Sequence, residues 1–458
     1  MRRETPQKIR DRQRGLYLKA KREPPCRFSL RHDKVWREDI LAHAYRLGRA
    51  NGGAPGLEGV TVQSIESGEG AAQVLAKLQP ELQEKTYRPQ PGRRVYLPKG
   101  AGKQRPLGIP TLRDRGAQRA VKLVMEPILA ADFADCSSGV RPTRDAQQAV
   151  GAIREALSKG QPSVFAAARP PYCDTLPPAA LRKGRAGRMS DRHSRRWLKQ
   201  GLKATVVEET AEGKRRATGG KTAKRGTPQG GVLSPVRANV YLHAFDRAFL
   251  AYCRAPGLAA RLVRYGADFV SLMRGGVTET RREVAQRVGR MELKLNEEKS
   301  RVVDARKGSF DFRGVTFGRK RSLRTGKVIS LVEPARKAQQ HFRDEVRTLT
   351  GRGSHSRPQG EVVERVKRYG RGGVNYFPLH NSTRAFARQR FCLEQRRRKY
   401  LRTRRQNKGF GYREWPTARL YRELGLDAIP LHAPYGRTRT PGGEADRQAG
   451  CGRTARPG

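Results

Sequence analysis

The chain has 458 residues, of which 97 are Lys or Arg and 42 Asp or Glu, a formal net charge of +55. A field of that size calls for a polyanionic partner. With a mean hydropathy of −0.78 and no apolar run near the roughly 20 residues of a spanning helix, nucleic acid is expected rather than membrane. The length fits two or three domains. The six cysteines stand singly, with no C-x-x-C pair, so neither a zinc site nor a disulfide framework is expected. Reduced thiols in a cytosolic or nucleoid setting are the plain reading.

Taken in chain order, residues 1–30 are basic and poor in large apolar groups outside "LYLKA", which predicts an arm that orders only on its partner. Helical spacing from Val35 to Leu47 stops at the turn cluster "ANGGAPGLEG". "RRVYLPKGAGKQRPLGIPT" reads as two short strands around a Gly-rich tip. "DRGAQRAVKLVMEPILAADF" reads as a helix with Asp114 placed to cap its start. "PSVFAAA" predicts a short apolar strand and "SDRHSRRWLKQGL" a basic helix. Residues 205–225 read as a solvated basic loop or hairpin. The loop "GTPQGG" precedes an amphipathic helix over about Leu233–Tyr252. The strands "RLVRY" and "DFVSLM" flank Gly266-Ala267, and "FDFRGVTFG" is a further strand. From Glu333 the pattern is helical and strongly basic, and beyond about His432 a Gly-, Pro- and Arg-rich tail is expected to be disordered.

Singly these signals are weak, but their order is specific. "LPKGAGKQRPLGIPTLRDR", "DCSSGVRPTRDA", "GTPQGGVLSPVRANVYLHAFD", "RYGADFV" and "LKLNEEKSRVVDARKGSFDFRG" together resemble the reverse transcriptase blocks of bacterial group II intron-encoded proteins. "SRPQGEVVERVKRYGRGGVNYF" and "NSTRAF" resemble that family's maturase domain. The resemblance runs from about Glu4 to about Leu431. It implies an α+β right-hand polymerase fold, with fingers and palm built on antiparallel sheet, followed by a helical thumb and maturase domain. The expected divisions are an arm at 1–30, fingers and palm at 31–325, thumb and maturase at 326–431, and a tail at 432–458. The implied partners are group II intron RNA and, in an active enzyme, an RNA template and DNA primer, with a homodimer consistent with family behaviour. Lack of Cys/His pairs after the maturase region speaks against an appended endonuclease.

Nucleotidyl transfer uses two Mg²⁺ ions about 3.5–4 Å apart, held by carboxylates. The resemblance places Lys99 and Arg105 where finger cations hold the triphosphate, and Gln229 and Gly230 in the loop beside the incoming nucleotide. It places Asp268 as a catalytic metal ligand. Yet Ala267 stands at the adjoining hairpin aspartate, and aligning "YCDTLP" puts Ala168 at the aspartate of the earlier strand. Cys173 replaces an aromatic that discriminates sugars, and Asp174 matches a position that is not a ligand. Mg²⁺ binding is therefore expected to be weakened or absent and polymerisation weak or absent, while Gly266 still suits a type II′ turn. Binding features remain: the arm, the 205–225 segment, and Arg396, Arg397, Arg398, Lys399, Arg402, Arg404 and Arg405, with Tyr400 and Leu401 as an apolar seam.

Other departures read as structural. Ser138 and Val140 stand where the family has aromatics, Arg313 where it has an apolar residue, and Gly370 and Gly373 where it has Leu and Trp. Helical glycines cost about 1 kcal/mol each and a lost buried Trp about 3–5 kcal/mol, against a total stability of about 5–15 kcal/mol. A thumb and maturase region of low stability without RNA is the expectation. An RNA-binding maturase with a silent palm is the leading reading; an active RNA-directed DNA polymerase and a decayed, non-functional copy are the alternatives.

Overall fold

The computed structural model describes residues 5–28, 34–98, 102, 104–167, 188–190, 196–197, 205–209, 215–219, 230–255, 258–293, 295–322, 325–377, 382–406, 409 and 411–423. In chain order the elements are α1 (Gln7–Arg22), α2 (Glu38–Ala50), α3 (Val62–Ser67), α4 (Gly70–Gln83), β1 (Gly92–Pro98), β2 (Gln104–Ile109), α5 (Leu112–Ala130), α6 (Ala146–Ser158), β3 (Ser163–Ala167), β4 (Thr205–Glu209) and β5 (Arg215–Gly219). They continue with α7 (Ser234–Cys253), β6 (Ala260–Tyr265), β7 (Asp268–Met273), α8 (Val277–Arg290), β8 (Arg301–Asp304), β9 (Ser309–Phe312), β10 (Val315–Arg321), β11 (Val328–Pro334), α9 (Arg336–Leu349), α10 (Gln359–Tyr376), α11 (Thr383–Arg404) and α12 (Thr417–Arg422). The α+β expectation holds.

Three sheets organise the strands. One runs β2-β1-β4-β5, a second β6-β7-β3-β8 and a third β11-β10-β9. In the second sheet β7 lies between β6 and β3, which pair both its edges, and it is buried from Phe269 to Met273 on both faces. Period-two alternation sends Val164, Val270 and Leu272 to the face packed by Ile153 and Leu157 of α6. Phe165 and Phe269 point the other way, onto Leu242, Phe245 and Phe249 of α7 and Val284 and Val288 of α8. A third core joins α1, α2, α4 and α5.

Several expectations are corrected here. The N-terminal arm is not a free segment: α1 packs on α5, with Ile9 and Ala20 fully buried and Gln13 Nε2 donating to the Leu123 carbonyl (2.9 Å). Its few apolar residues share one helical face, which suffices against a partner that supplies the rest of the core. Asp114 does not cap α5; Thr111 does, accepting from the Asp114 amide, while the Asp114 carboxylate accepts from Tyr87 Oη (2.7 Å) and the Gln90 amide (2.8 Å). Burial raises the Asp114 carboxyl above its usual range against the lowering effect of those bonds. Of the loop and the hairpin left open for residues 205–225 the structure has the hairpin, and what the sequence did not show is its docking: β4 pairs in parallel with β1, with Val206 buried. "FDFRGVTFG" is likewise a hairpin, β9–β10, turning at Arg313-Gly314. The expected basic helix at 190–202 and the tail at 432–458 lie largely or wholly outside the described residues.

The glycines of α10 do not leave the space a missing Leu and Trp would leave. A Cβ on Gly373 would lie 3.2 Å from the Phe342 ring, and one on Gly370 3.4 Å from Leu393 Cδ1. Phe342 stacks on Tyr369 at 5.3 Å and fills the helix contact. The cost is that of helical glycine, without a cavity term.

Candidate functional site: the palm hairpin and the basic helices

The β6–β7 hairpin closes on Tyr265 opposite Asp268, with Gly266 at φ +63 and Ala267 outside the left-handed region, as a type II′ turn requires. Its position is fixed by a buried polar network. Arg264, fully buried, donates from Nε and Nη2 to the two carboxylate oxygens of Asp246 (2.8 and 2.6 Å). Its Nη1 donates to Asn239 Oδ1 (3.0 Å) and to the Gly266 carbonyl (2.9 Å). Asn239 Nδ2 in turn donates to the carbonyls of Gly139 (2.9 Å) and Val140 (3.1 Å). The Ser138 amide donates to the Arg264 carbonyl (2.9 Å) and the Arg264 amide to the Cys136 carbonyl (2.7 Å) across a parallel bridge centred on Ser137, and the turn lies so close that a Cβ on Gly139 would stand 2.2 Å from the Gly266 amide nitrogen. Val140 holds φ +52, an uncommon conformation for a β-branched residue.

Sequence reasoning missed this scaffold. The available signal was the pair Asn239 and Asp246, polar residues seven apart in an otherwise apolar stripe and therefore on one helical face.

At the tip itself Asp268 faces Arg313 from the β9–β10 turn. Arg313 Nη1 is 3.8 Å from Asp268 Oδ2, and its Cζ lies 4.5 Å from the centre of the Tyr265 ring. Both charged side chains are partly exposed, at 31% and 43%. Arg313, read from sequence as a structural departure, thus meets the one acid expected to hold metal. Ala168 lies outside the described residues, and among those described no three metal-ligating side chains gather. A single carboxylate beside a guanidinium does not fit a two-metal site.

Of the expected nucleotide-binding residues, Lys99 and Gln229 lie outside the described residues. Arg105 sits in β2 opposite Leu97. Gly230, at φ +112, abuts that strand: a Cβ there would be 2.5 Å from the Gly108 carbonyl oxygen. The nearby Val232 amide donates to Gln118 Oε1 of α5 (3.0 Å). The structure therefore brings Gly230 onto the same strand as Arg105.

The basic run of α11 divides. Lys399, Arg404 and Arg405 are exposed, and Arg396 and Arg402 half-buried. Arg397 and Arg398 are 3% and 2% exposed, a correction to their expected role on an RNA-facing surface. Arg398 donates to the Trp415 carbonyl (2.9 Å) and Thr417 Oγ1 (2.7 Å) and stacks on Tyr412, so its guanidinium is consumed in joining α11 to the segment after it. Burial lowers the Arg397 guanidinium to about 10. Arg396 reaches Thr350 Oγ1 and the Arg347 carbonyl across the α9–α11 contact.

Comparison with known proteins places these pieces. Residues 97–317 match the reverse transcriptase (RNA-dependent DNA polymerase) family, and residues 339–421 the group II intron maturase-specific domain. The chain is 32% identical to Protein YkfC of Escherichia coli over 69% of its own length and 89% of that protein. It is also 32% identical to the group II intron-encoded protein LtrA of Lactococcus lactis over 47% of its length, spanning about a third (34%) of LtrA, and 27% identical to an uncharacterized 91 kDa protein in the cob intron of Schizosaccharomyces pombe over 48% of its length and 26% of that protein. A reverse transcriptase match that runs from the end of β1 into β10, with a maturase-specific match over α9 to α12 after it, fixes the affiliation: the chain belongs to the group II intron reverse transcriptase/maturase family.

Proposed function

We propose that the protein binds group II intron RNA and assists its splicing, with a palm that is silent as a polymerase. The observation that carries this reading is the palm tip. The hairpin is intact and held by Arg264, Asp246 and Asn239, yet its turn offers Asp268 alone, with Ala267 beside it and Arg313 against it. Mg²⁺ serves reverse transcriptases as a family, supplying the charge that activates the attacking oxygen and shields the leaving pyrophosphate. Among the described residues no set of donors for it gathers at the hairpin tip. What remains supports binding: a net charge of +55, exposed Lys399, Arg404 and Arg405, and a matched maturase-specific domain.

The test combines two assays on the full chain. Binding to, and splicing of, a group II intron transcript at limiting Mg²⁺ is measured beside primer extension on an RNA template with four deoxynucleotides. Saturable RNA binding with faster splicing and no extension is the expected result. Extension by the unmodified chain overturns the silent palm, and binding no tighter than to an unrelated structured RNA overturns the splicing role.

A further inference from the structure

Arg313 occupies an unusual backbone position. It stands at φ +51 and Gly314 at φ +77, so both central residues of the β9–β10 turn are left-handed, as in a type I′ hairpin. Asn, Asp or Gly meet that requirement at low cost, and an arginine does not. The strained turn is anchored from a third element, because Tyr376 Oη of α10 donates to the Arg313 carbonyl (3.1 Å). The side chain is guided as well: it lies over the Tyr265 ring, which belongs to the hairpin carrying Asp268, and points its Nη1 at that carboxylate. Strand parity agrees. Asp268 shares a face with Val270 and Leu272, the face that packs with Phe310, Phe312 and Val315 of the β9–β10 hairpin.

A surface ion pair at 3.8 Å is commonly of little consequence. Here the cation is held in place by a fixed turn and an aromatic face. It therefore sets a positive charge at the place where a divalent ion would have to sit. We propose that Arg313 is a resident cation of the palm tip: it neutralises Asp268 and repels divalent metal, so that restoring an acid at position 267 does not by itself rebuild a metal site. This rests on the reading of a silent palm and locates part of the silence outside the lost carboxylates.

The experiment uses Mn²⁺ as the probe, with the free-ion electron paramagnetic resonance signal read at low ionic strength on the full chain without nucleic acid. Ala267→Asp alone is compared with Ala267→Asp combined with Arg313→Asn, Arg313→Gly or Arg313→Lys, and Asp268→Asn sets the background. Asn and Gly both accept the left-handed turn, so each neutral variant checks the other, with thermal melting confirming the fold. Mn²⁺ affinity is expected to rise about tenfold in both neutral backgrounds, the factor that separates the presence and absence of a unit charge roughly 5 Å from a divalent ion in a water-like dielectric. Arg313→Lys is expected to stay near Ala267→Asp alone. Equal affinity with Arg, Asn and Gly at position 313 overturns the proposal while leaving the silent palm intact. Site-stoichiometric Mn²⁺ binding by the unmodified chain, abolished by Asp268→Asn, overturns both.

Discussion

Arg264 and Asp246 are both fully buried and bound to each other through two hydrogen bonds, so removing one partner leaves the other charged and uncompensated. Asp246→Ala is expected to cost about 3–5 kcal/mol in denaturant unfolding, whereas a surface pair such as Arg347–Asp344 should cost under about 1 kcal/mol when broken. Gly139 presents the complementary case. Its Cβ would collide with the Gly266 amide, so Gly139→Ala should destabilise by about 1–3 kcal/mol and displace the hairpin tip, which amide exchange at residues 264–268 would register. The buried imidazoles supply a pH dependence. Burial holds His43 and His243 below the ordinary value of 6.5, with Arg46 adding to it at the first and Arg247 and Arg264 at the second, against Asp246 and Asp132. The unfolded chain therefore takes up protons first. Stability is full above about pH 6.5 and falls as pH drops through the depressed folded values. Melting temperatures measured from pH 7.5 to 5.5 should decline, and less steeply in His43→Gln.

Among the elements, α10 and α11 carry the clearest contrasts. Gly370→Ala adds a Cβ at ordinary contact distance from Leu393 and gains helix propensity, so stabilisation of about 0.5–1 kcal/mol is expected. Gly373→Trp meets Phe342 instead and should destabilise, with partial recovery in Phe342→Ala/Gly373→Trp showing that the two side chains compete for one space. On α11, Lys399→Ala should weaken RNA binding and flatten its salt dependence by about one at unchanged melting temperature, whereas Arg398→Ala should lower the melting temperature first. That division explains what the sequence could and could not tell. Periodic segments such as β6, β7 and α7 were legible because apolar spacing alone specifies them, and the resemblance of "RYGADFV" located the palm tip. The burial of Arg397 and Arg398 was not, since an arginine reads as a solvated cation until Trp415, Thr417 and Tyr412 are brought over it by tertiary packing. The meeting of Arg313 with Asp268 was hidden for the same reason: it depends on a turn conformation 45 residues away in the chain.

At the scale of the whole molecule, a net charge of +55 spread over fingers, palm and basic helices means that binding to any RNA is steeply salt-dependent. A chain making about 6–10 phosphate contacts should lose roughly 10³–10⁵ in affinity between 50 and 200 mM salt, and a shallower slope would mean that few of these cations touch the backbone. The strand order of the palm sheet reaches into synthesis. β3 lies between β7 and β8, yet about a hundred residues separate it from β7, which follows it in the chain. At about 5–20 residues per second a ribosome takes on the order of 5–20 s to supply that partner. For that interval Val164 and Phe165 have neither sheet neighbour, and the nascent palm is an open apolar edge whose protection falls to whatever attends the emerging chain.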